Sequence, residues 1–187
     1  FVFTSSGTTG SSTSRHFVKE VSFYEQVFLK SFTHFYGDVK EYVILALLPS
    51  YLEREGSSLV YMCEKLIQLT DKNESGFYLN NTDELINRIK DCENKSQKTI
   101  LIGVSFALLD LAEKIKLNLK QTFIMETGGM KGRKKEITRD ELHAQLKKGF
   151  GVNEVHSEYG MTELFSQAYS KSNGRYFCPP QMKIIIT

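Results

Sequence analysis

The chain of 187 residues has little net charge, few cysteines and no long apolar run. Its formal net charge of +2 gives no electrostatic basis for nucleic-acid binding. The three cysteines, Cys63, Cys92 and Cys178, have no metal-type spacing, and we interpret Cys63 and Cys92 as reduced helix residues. No stretch approaches the ~18 apolar residues of a membrane span, and we identify no signal peptide. We therefore expect a cytoplasmic protein with no membrane span and no nucleic-acid partner.

Two common phosphate-binding motifs are also missing. A Walker loop needs a lysine directly after its second glycine, and no lysine stands at that place in the glycine-rich segment near the start of the chain. A dinucleotide fingerprint needs three glycines, whereas this segment offers only Gly7 and Gly10. Neither of these nucleotide-binding classes fits the sequence.

The composition is that of a folded domain. With 41% hydrophobic and 12% aromatic residues, a chain of this length can bury a substantial core. The sequence begins with Phe1 and stops within the apolar run 184–186, so we expect a fragment that is truncated at both ends. We treat residues 1–187 as one α/β nucleotide-binding domain.

Apolar runs alternate with helical patterns along the chain. Strands are predicted at 42–48, 77–79, 99–104 and 122–125, separated by amphipathic helices. Ser105 and Thr138 are predicted to cap two of these helices, and the second is predicted to end near Gly149. This alternation predicts an α/β fold with a mainly parallel sheet and helices on both faces.

The glycine-rich segment near the start combines hydroxyl groups with glycines. Its residues are Ser5, Ser6, Gly7, Thr8, Thr9 and Gly10. Backbone N–H groups and hydroxyl groups in such a loop can bind phosphate oxygens. Phe17, Val21, Tyr24, Phe28 and Phe35 follow at helical spacing, so we expect the loop to lead into a helix whose N-terminus also favours phosphate. Taken alone, the segment fits a flexible tail as well.

A second candidate segment lies about 150 residues further on, at residues 159–163. The aromatic ring of Tyr159 can stack on a purine, and Gly160 lets the backbone approach a ligand closely. Thr162 can donate a hydrogen bond to a phosphate, and Glu163 is a hard oxygen ligand suited to Mg²⁺. Met161 and Phe165 are expected to pack against the sheet.

Ligands of parallel α/β sheets gather at the carboxyl ends of the strands. Four segments lie at predicted strand ends: the opening loop, 49–51, 126–132 and 159–163. Glycine-rich loops that merely turn the chain remain the alternative, above all at Pro49 and Tyr51. We expect the opening loop and residues 159–163 to meet at the same edge of the sheet.

The order Ser-Gly-Thr-Thr-Gly, followed by Tyr-Gly-Met-Thr-Glu, resembles the two nucleotide-contacting motifs of the adenylate-forming superfamily. With residues 47–54, 128–133 and 159–164, the chain is similar to the acyl-protein synthetase family over nearly its whole length, from Phe3 to Met182. These are the LuxE-type long-chain fatty-acid ligases of bacterial bioluminescence operons, with relatives in non-luminous bacteria.

The resemblance implies that ATP and Mg²⁺ activate a long-chain fatty acid as acyl-AMP. The acyl group then passes, through a cysteine of the enzyme, to a reductase partner. It further implies that Thr8 and Thr9 hold the β- and γ-phosphates, that Thr162 contacts the α-phosphate and that Glu163 holds Mg²⁺. The adenine-binding residues that it implies are Gly128, Gly129, Tyr159 and Gly160.

In that family the acylated cysteine, a ribose-binding aspartate and a mobile C-terminal domain with a catalytic lysine come later in the chain than Thr187. Cys178 is therefore not assigned the acyl-carrying role. We expect this fragment alone to bind nucleotide weakly and to turn over poorly.

The chain departs from the family pattern after the second glycine of the opening loop. The family usually continues with Pro-Lys, but Ser12 and Thr13 occupy those places and the nearest basic residues are Arg15 and His16. Two alternatives therefore stay open: an acyl- or aryl-CoA ligase of the same superfamily, and a non-catalytic nucleotide- or partner-binding module. The basic residues 131–135 fit either a solvated loop or a contact with phosphate or an acyl-acceptor protein. No metal spacing links the four histidines.

Overall fold

The computed structural model describes residues 1–5, 14–48, 56–129 and 137–185. Within these ranges the chain forms five α-helices and two β-sheets. The elements are β1 (Val2–Thr4), β2 (Arg15–Phe17), α1 (Val21–Tyr36), β3 (Val43–Leu47), α2 (Ser58–Thr70), β4 (Gly76–Phe77), α3 (Thr82–Asn94), β5 (Thr99–Val104), α4 (Ser105–Lys114), β6 (Thr122–Thr127), α5 (Arg139–Phe150), β7 (His156–Tyr159) and β8 (Ala168–Ser170).

The main sheet has six strands in the order β4-β3-β5-β6-β7-β8. The five strands from β4 to β7 are parallel, and β8 runs antiparallel to β7 at the edge. Strands β3 and β5 are buried along their whole length, as expected of strands covered on both faces. The predicted α/β class with a mainly parallel sheet is confirmed.

Helices cover both faces of the sheet. On one face, Glu93 of α3 accepts a 2.7 Å hydrogen bond from Thr122, and a Cβ at Gly103 of β5 would touch Leu108 of α4. Helix α5 packs beside α4 on this face. On the opposite face, Tyr36 of α1 lies 3.1 Å from His156 of β7. Tyr24 of α1 donates a hydrogen bond to the backbone of α2, which places both helices on that face.

The chain reverses its direction across the sheet between β3 and β5. After β3 it crosses through α2 to β4 on one side, whereas after β5 it crosses through α4 to β6 on the other side. The connections that leave β3 and β5 therefore diverge to opposite faces. Such a switch point at the carboxyl ends of parallel strands is where open α/β sheets bind ligands.

A small antiparallel hairpin of β1 and β2 covers the face formed by α1 and α2. Phe3 packs edge-on against Tyr24 and Tyr61, with ring centroids 5.2 and 5.7 Å away. The backbone N–H of Thr4 donates a 2.7 Å hydrogen bond to the carbonyl of Gly56, which lies just before α2. The base of the opening loop is thus fixed beside the start of α2.

The prediction that the opening loop leads directly into a helix was wrong. The loop joins the two strands of the hairpin, and α1 begins only at Val21, with Glu20 as its N-cap. Phe17 matched the helical spacing, but it lies on β2 and is 73% exposed. No helix N-terminus therefore follows the loop directly to assist in phosphate binding.

Helix ends agree with the predictions at Thr138 and near Gly149 and differ at Ser105. Thr138 forms the predicted capping box with Glu141. Ser105 is the first residue of α4 rather than its cap, and its hydroxyl donates instead to Glu126. Helix α5 continues through Gly149 to Phe150, and Gly151, with φ of 67°, forms the left-handed C-cap.

The cysteines lie where the sequence indicated. Cys63 on α2 and Cys92 on α3 are buried, Cys178 is exposed in a loop, and all three are free of disulfide bonds. In the part of the chain that the structure describes, no helix has the length and apolar character needed to cross a membrane.

Candidate functional site

Two predicted segments lie side by side at the carboxyl edge of the sheet. Gly128 and Gly129 directly follow β6, and Tyr159 and Gly160 lie at the end of β7. These strands are neighbours, and Thr127 pairs in register with Glu158. The backbone register therefore brings Gly128 level with Tyr159. The segments after β6 and β7 thus meet at one edge, whereas the predicted meeting of the opening loop with residues 159–163 concerns residues outside the described ones.

Thr162 and Glu163 occupy the tip of a turn. The backbone N–H of Leu164 donates a 3.0 Å hydrogen bond to the carbonyl of Met161, which makes Thr162 and Glu163 the two central residues. The Glu163 side chain is exposed and Thr162 is half-buried. Both residues lie in the connection between β7 and β8.

Phe165, but not Met161, packs as predicted. Phe165 contacts Tyr24 and His16, with ring centroids 6.3 and 5.6 Å away. Met161 is 44% exposed, and the prediction that it packs against the sheet was wrong. The Met161 sulfur accepts a 3.1 Å hydrogen bond from the Tyr159 hydroxyl. This contact holds the Met161 side chain beside the exposed tyrosine rather than against the sheet.

The ring of Tyr159 is accessible to a planar ligand. It is 45% exposed, and its only ring contact among the described residues is Tyr176, edge-on at 5.9 Å. The guanidinium of Arg139 lies 5.1 Å above the Tyr176 ring. An exposed aromatic ring that is fixed at its edge suits stacking on a purine.

Glycine is needed at position 160 because the carboxyl group of Glu158 lies close to its backbone. A Cβ at this position would lie 2.7 Å from Oε1 of Glu158, too close for ordinary contact, whereas a Cβ at Gly129 would meet nothing within 4 Å. Gly160→Ala is therefore expected to displace the Glu158 carboxyl and to lower the free energy of unfolding by about 1–2 kcal/mol. Gly129→Ala, the matched control, should change it by less than about 0.5 kcal/mol. Equal stabilities of the two variants in urea unfolding would contradict this packing.

Hydrogen bonds between Ser5 and Ser14 close the base of the opening loop. The Ser5 backbone N–H donates to the Ser14 carbonyl, and the Ser14 N–H donates to the Ser5 hydroxyl, both at 3.0 Å. His16, two residues later, packs on Phe165 in the β7–β8 connection. The remaining predicted residues, Ser6, Gly7, Thr8, Thr9 and Gly10, lie outside the described residues, as do 49–51 and the basic residues 131–135.

Two buried glutamates that the sequence analysis missed stand directly at this edge. Glu126 is 3% exposed and Glu158 is 5% exposed. They lie on neighbouring strands, one register position apart, so their side chains point to opposite faces of the sheet. Glu126 is the first residue of the predicted segment 126–132, and Glu158 immediately precedes the segment 159–163.

Glu126 lies among groups that stabilise its charge. Burial alone would raise its pKa, but hydrogen bonds involving His143, Ser157 and Ser105 outweigh burial. The guanidinium of Arg139, 3.7 Å from Oε1, acts in the same direction. The pKa of Glu126 is consequently lower than usual, and this carboxylate links β6 to α4 and α5.

Glu158 lies in the opposite electrostatic environment. Burial raises its pKa to about 7, and the negative charge of Glu126 adds to this effect. A 2.6 Å hydrogen bond from the Thr127 hydroxyl to Oε2 only partly compensates. Two neighbouring carboxyl groups thus have pKa values shifted in opposite directions, a pattern that is frequent at functional sites.

Glu163 has the exposure expected of a residue that shares Mg²⁺ with a nucleotide. Mg²⁺ is commonly held by one or two carboxylates together with phosphates and water. Within the described ranges no three His, Cys, Asp or Glu side chains group as a metal site.

The histidines, which received no role from the sequence, have structural contacts. His143 Nε2 lies 3.6 Å from Glu126 Oε1 and 3.5 Å from the Ser157 hydroxyl. His156 is stacked on Phe123 and lies within hydrogen-bond distance of the Tyr36 hydroxyl. Burial lowers the pKa of His156 to about 4, so this ring is neutral at physiological pH.

Comparisons with protein-family models, with curated proteins and with solved structures give no significant match to this chain.

Proposed function

We propose that this chain is the nucleotide-binding part of an adenylate-forming ligase of the acyl-protein synthetase type. The observation that supports this most directly is the meeting of Gly128–Gly129 with Tyr159–Glu163 at the carboxyl edge of two neighbouring parallel strands. These segments are about 30 residues apart in sequence, and each matches the superfamily motif independently. Ligands of such sheets bind at this edge, and the two segments together would supply an aromatic ring and a close backbone approach there.

The family resemblance supplies a role for each residue, and the positions of the described residues support these roles. The exposed ring of Tyr159 stacks on adenine, and the Gly128–Gly129 turn beside it allows the backbone to approach the base. On the turn tip, Thr162 donates to the α-phosphate, and Glu163 is the ligand of Mg²⁺. Ser5 and the glycine-rich loop that it begins contact the β- and γ-phosphates.

The reaction needs no protein nucleophile in its first step. A carboxylate oxygen of the fatty acid attacks the α-phosphorus of ATP, and the bond from that phosphorus to the bridging oxygen breaks, which releases pyrophosphate. Bound Mg²⁺ supplies charge neutralisation for the phosphates. The residues of this chain hold the two reactants in line and donate hydrogen bonds to the developing negative charge.

In the second step an acyl group moves from AMP to a thiol. Cys178 is exposed in a loop after β8, but nothing in its surroundings marks it as the acceptor. We therefore propose that the thiol belongs to another part of the enzyme and that the final acceptor is a partner protein.

Isotope exchange tests this function and separates it from its alternatives. Full-length protein with ATP and Mg²⁺ should exchange labelled pyrophosphate into ATP only when a suitable acid is added, and long-chain fatty acids should be the best substrates. Exchange with aromatic acids alone would favour an aryl-CoA ligase. Absence of exchange with every acid, in protein that still binds AMP, would favour a non-catalytic nucleotide-binding module.

A further inference from the structure

A buried hydrogen bond connects the two turns of the proposed nucleotide site. Thr127 immediately precedes Gly128, and Glu158 immediately precedes Tyr159. The Thr127 hydroxyl donates to Oε2 of Glu158 over 2.6 Å, and both side chains are at least 95% buried. No other described side-chain hydrogen bond joins β6 to β7 on this face of the sheet.

The second oxygen of the same carboxyl group lies against Gly160. Oε1 would be only 2.7 Å from a Cβ at that position, and the Gln167 side chain lies at 3.5 Å from the same point. Glu158 therefore contacts both turns: Oε2 binds the residue before Gly128, and Oε1 supports the backbone of Gly160. A displacement of this carboxyl would be transmitted to both turns.

The electrostatic surroundings of Glu158 are unusual because no cation faces it among the described residues. The titratable groups around it come from every element that packs there. They are Tyr24 and Tyr36 of α1, Cys63 of α2, Tyr169 of β8, Tyr176 in the loop after β8 and Glu126 of β6. All of these are neutral or negative, so the surroundings favour the neutral carboxyl, which predominates below about pH 7.

We propose that Thr127 and Glu158 are positioning residues that hold the Gly128–Gly129 and Tyr159–Gly160 turns at the separation needed to enclose an adenine base. This inference rests on the proposed function. A base that is bound between a backbone turn and an aromatic ring requires a fixed gap, and misplacement by about 1 Å is enough to weaken such a site strongly. The register of β6 and β7 sets the separation of the two turns. The hydrogen bond between Thr127 and Glu158 maintains this separation where the strands end and the turns begin.

Three substitutions in full-length protein, with AMP as the probe in calorimetric titrations, test this role. Thr127→Val preserves shape but removes the donor, and we expect it to weaken AMP binding about tenfold. Thr127→Ser keeps the hydroxyl group and should restore the affinity to within about threefold of the original protein. Glu158→Gln keeps an oxygen that can accept from Thr127 and should bind AMP at pH 6 as the original protein does.

The pH profile is a readout that a purely structural role would not change. As the pH rises through about 7, Glu158 becomes ionised, and the buried charge should weaken the binding of an anionic nucleotide. Glu158→Gln should bind AMP with less loss of affinity between pH 6 and 8.5, and the comparison cancels the titration of AMP itself. Because the folded pKa is raised, the stability contributed by the neutral carboxyl is present below the unfolded value of 4.5 and is lost as the pH rises through about 7. Glu158→Gln should therefore be more stable than the original protein at pH 8.

The outcomes separate the inference from the function on which it rests. Original protein that binds no AMP would overturn both. Thr127→Val with unchanged AMP affinity, while Tyr159→Ala loses binding, would overturn the positioning role and leave the nucleotide site in place. If Thr127→Val does not fold, Thr127→Ala decides: unchanged AMP affinity overturns the inference, and a loss of about tenfold that Thr127→Ser does not show supports it.

Discussion

Glu163→Gln is expected to reduce pyrophosphate exchange by a factor on the order of 100 or more, because removing a group that stabilises transferring phosphate costs about that much. The variant keeps the size of the side chain and much of its hydrogen bonding but loses the negative charge that Mg²⁺ requires. Glu163 is exposed at the tip of a turn, so the free energy of unfolding should change by less than about 0.5 kcal/mol. The defect should be largest at limiting Mg²⁺.

The matched control is Glu41→Gln, the same change at an exposed glutamate. Glu41 lies before β3, at the amino edge of the sheet, where it pairs with Lys98. Exposed ion pairs contribute little, so this variant should keep both its stability and its exchange rate. Tyr159→Phe retains the stacking ring and should reduce pyrophosphate exchange only slightly. Near-normal exchange by Glu163→Gln at limiting Mg²⁺ would show that Glu163 is not the metal ligand.

The sheet could be predicted because its strands carry simple signals. Residues 99–104 form an uninterrupted apolar run, and the structure has β5 at the same bounds. Continuous apolar runs between amphipathic helices leave few alternatives to parallel strands that are covered on both faces. Strand β7, whose pairing with β6 brings Tyr159 beside Gly128, was not among the predicted strands, because its four residues carry no apolar run.

The hairpin could not be predicted, because its strands have only three residues each. Phe17 continued the spacing of the apolar residues in α1, and local periodicity could not reveal that its backbone pairs with Val2. Pairing between residues distant in sequence decides the conformation of such short segments. A helix N-terminus was expected to follow the opening loop and to contribute to anion binding. Because β2 follows the loop instead, this expected contribution is lost.

The buried glutamates were missed for a different reason. Charged residues at strand ends usually face solvent, and nothing in a single sequence indicates that Glu158 is covered by tyrosines of α1 and β8. Their pKa values depend on neighbours that only the folded chain brings together. A glutamate two residues before the first glycine of each turn was the one available signal.

Gly149 illustrates how a helix-stop signal can have another cause. The sequence suggested that glycine ends α5, but Gly151 performs that function and Gly149 lies within the helix. A Cβ on Gly149 would lie 2.6 Å from both the Cβ and the carbonyl oxygen of Ala112 in α4. The glycine is therefore needed for close packing of two helices, a tertiary property that periodicity does not encode.

We expect Gly149→Val to lower the free energy of unfolding by about 3 kcal/mol, near the upper end of the range for overpacked cores. Helix α4 cannot simply move away, because the chain after it is bound to the end of α5: the N–H groups of Leu117 and Leu119 donate to the carbonyls of Gly149 and Phe150 at 3.0 and 3.1 Å. For a domain of this size the melting temperature should fall by roughly 6–12 °C.

The matched control for this variant is Gln145→Val, which introduces the same β-branched residue at an exposed position of α5. Gln145→Val should lower the free energy of unfolding by less than about 0.7 kcal/mol, which is the loss of helix propensity alone, because no neighbouring helix lies against this position. Gly149→Ala should fall between the two, since its smaller clash is offset in part by about 1 kcal/mol of improved helix propensity. If thermal unfolding found Gly149→Val as stable as Gln145→Val, then α4 and α5 would not be in the close contact that positions Glu126, His143 and Arg139 beneath the candidate site.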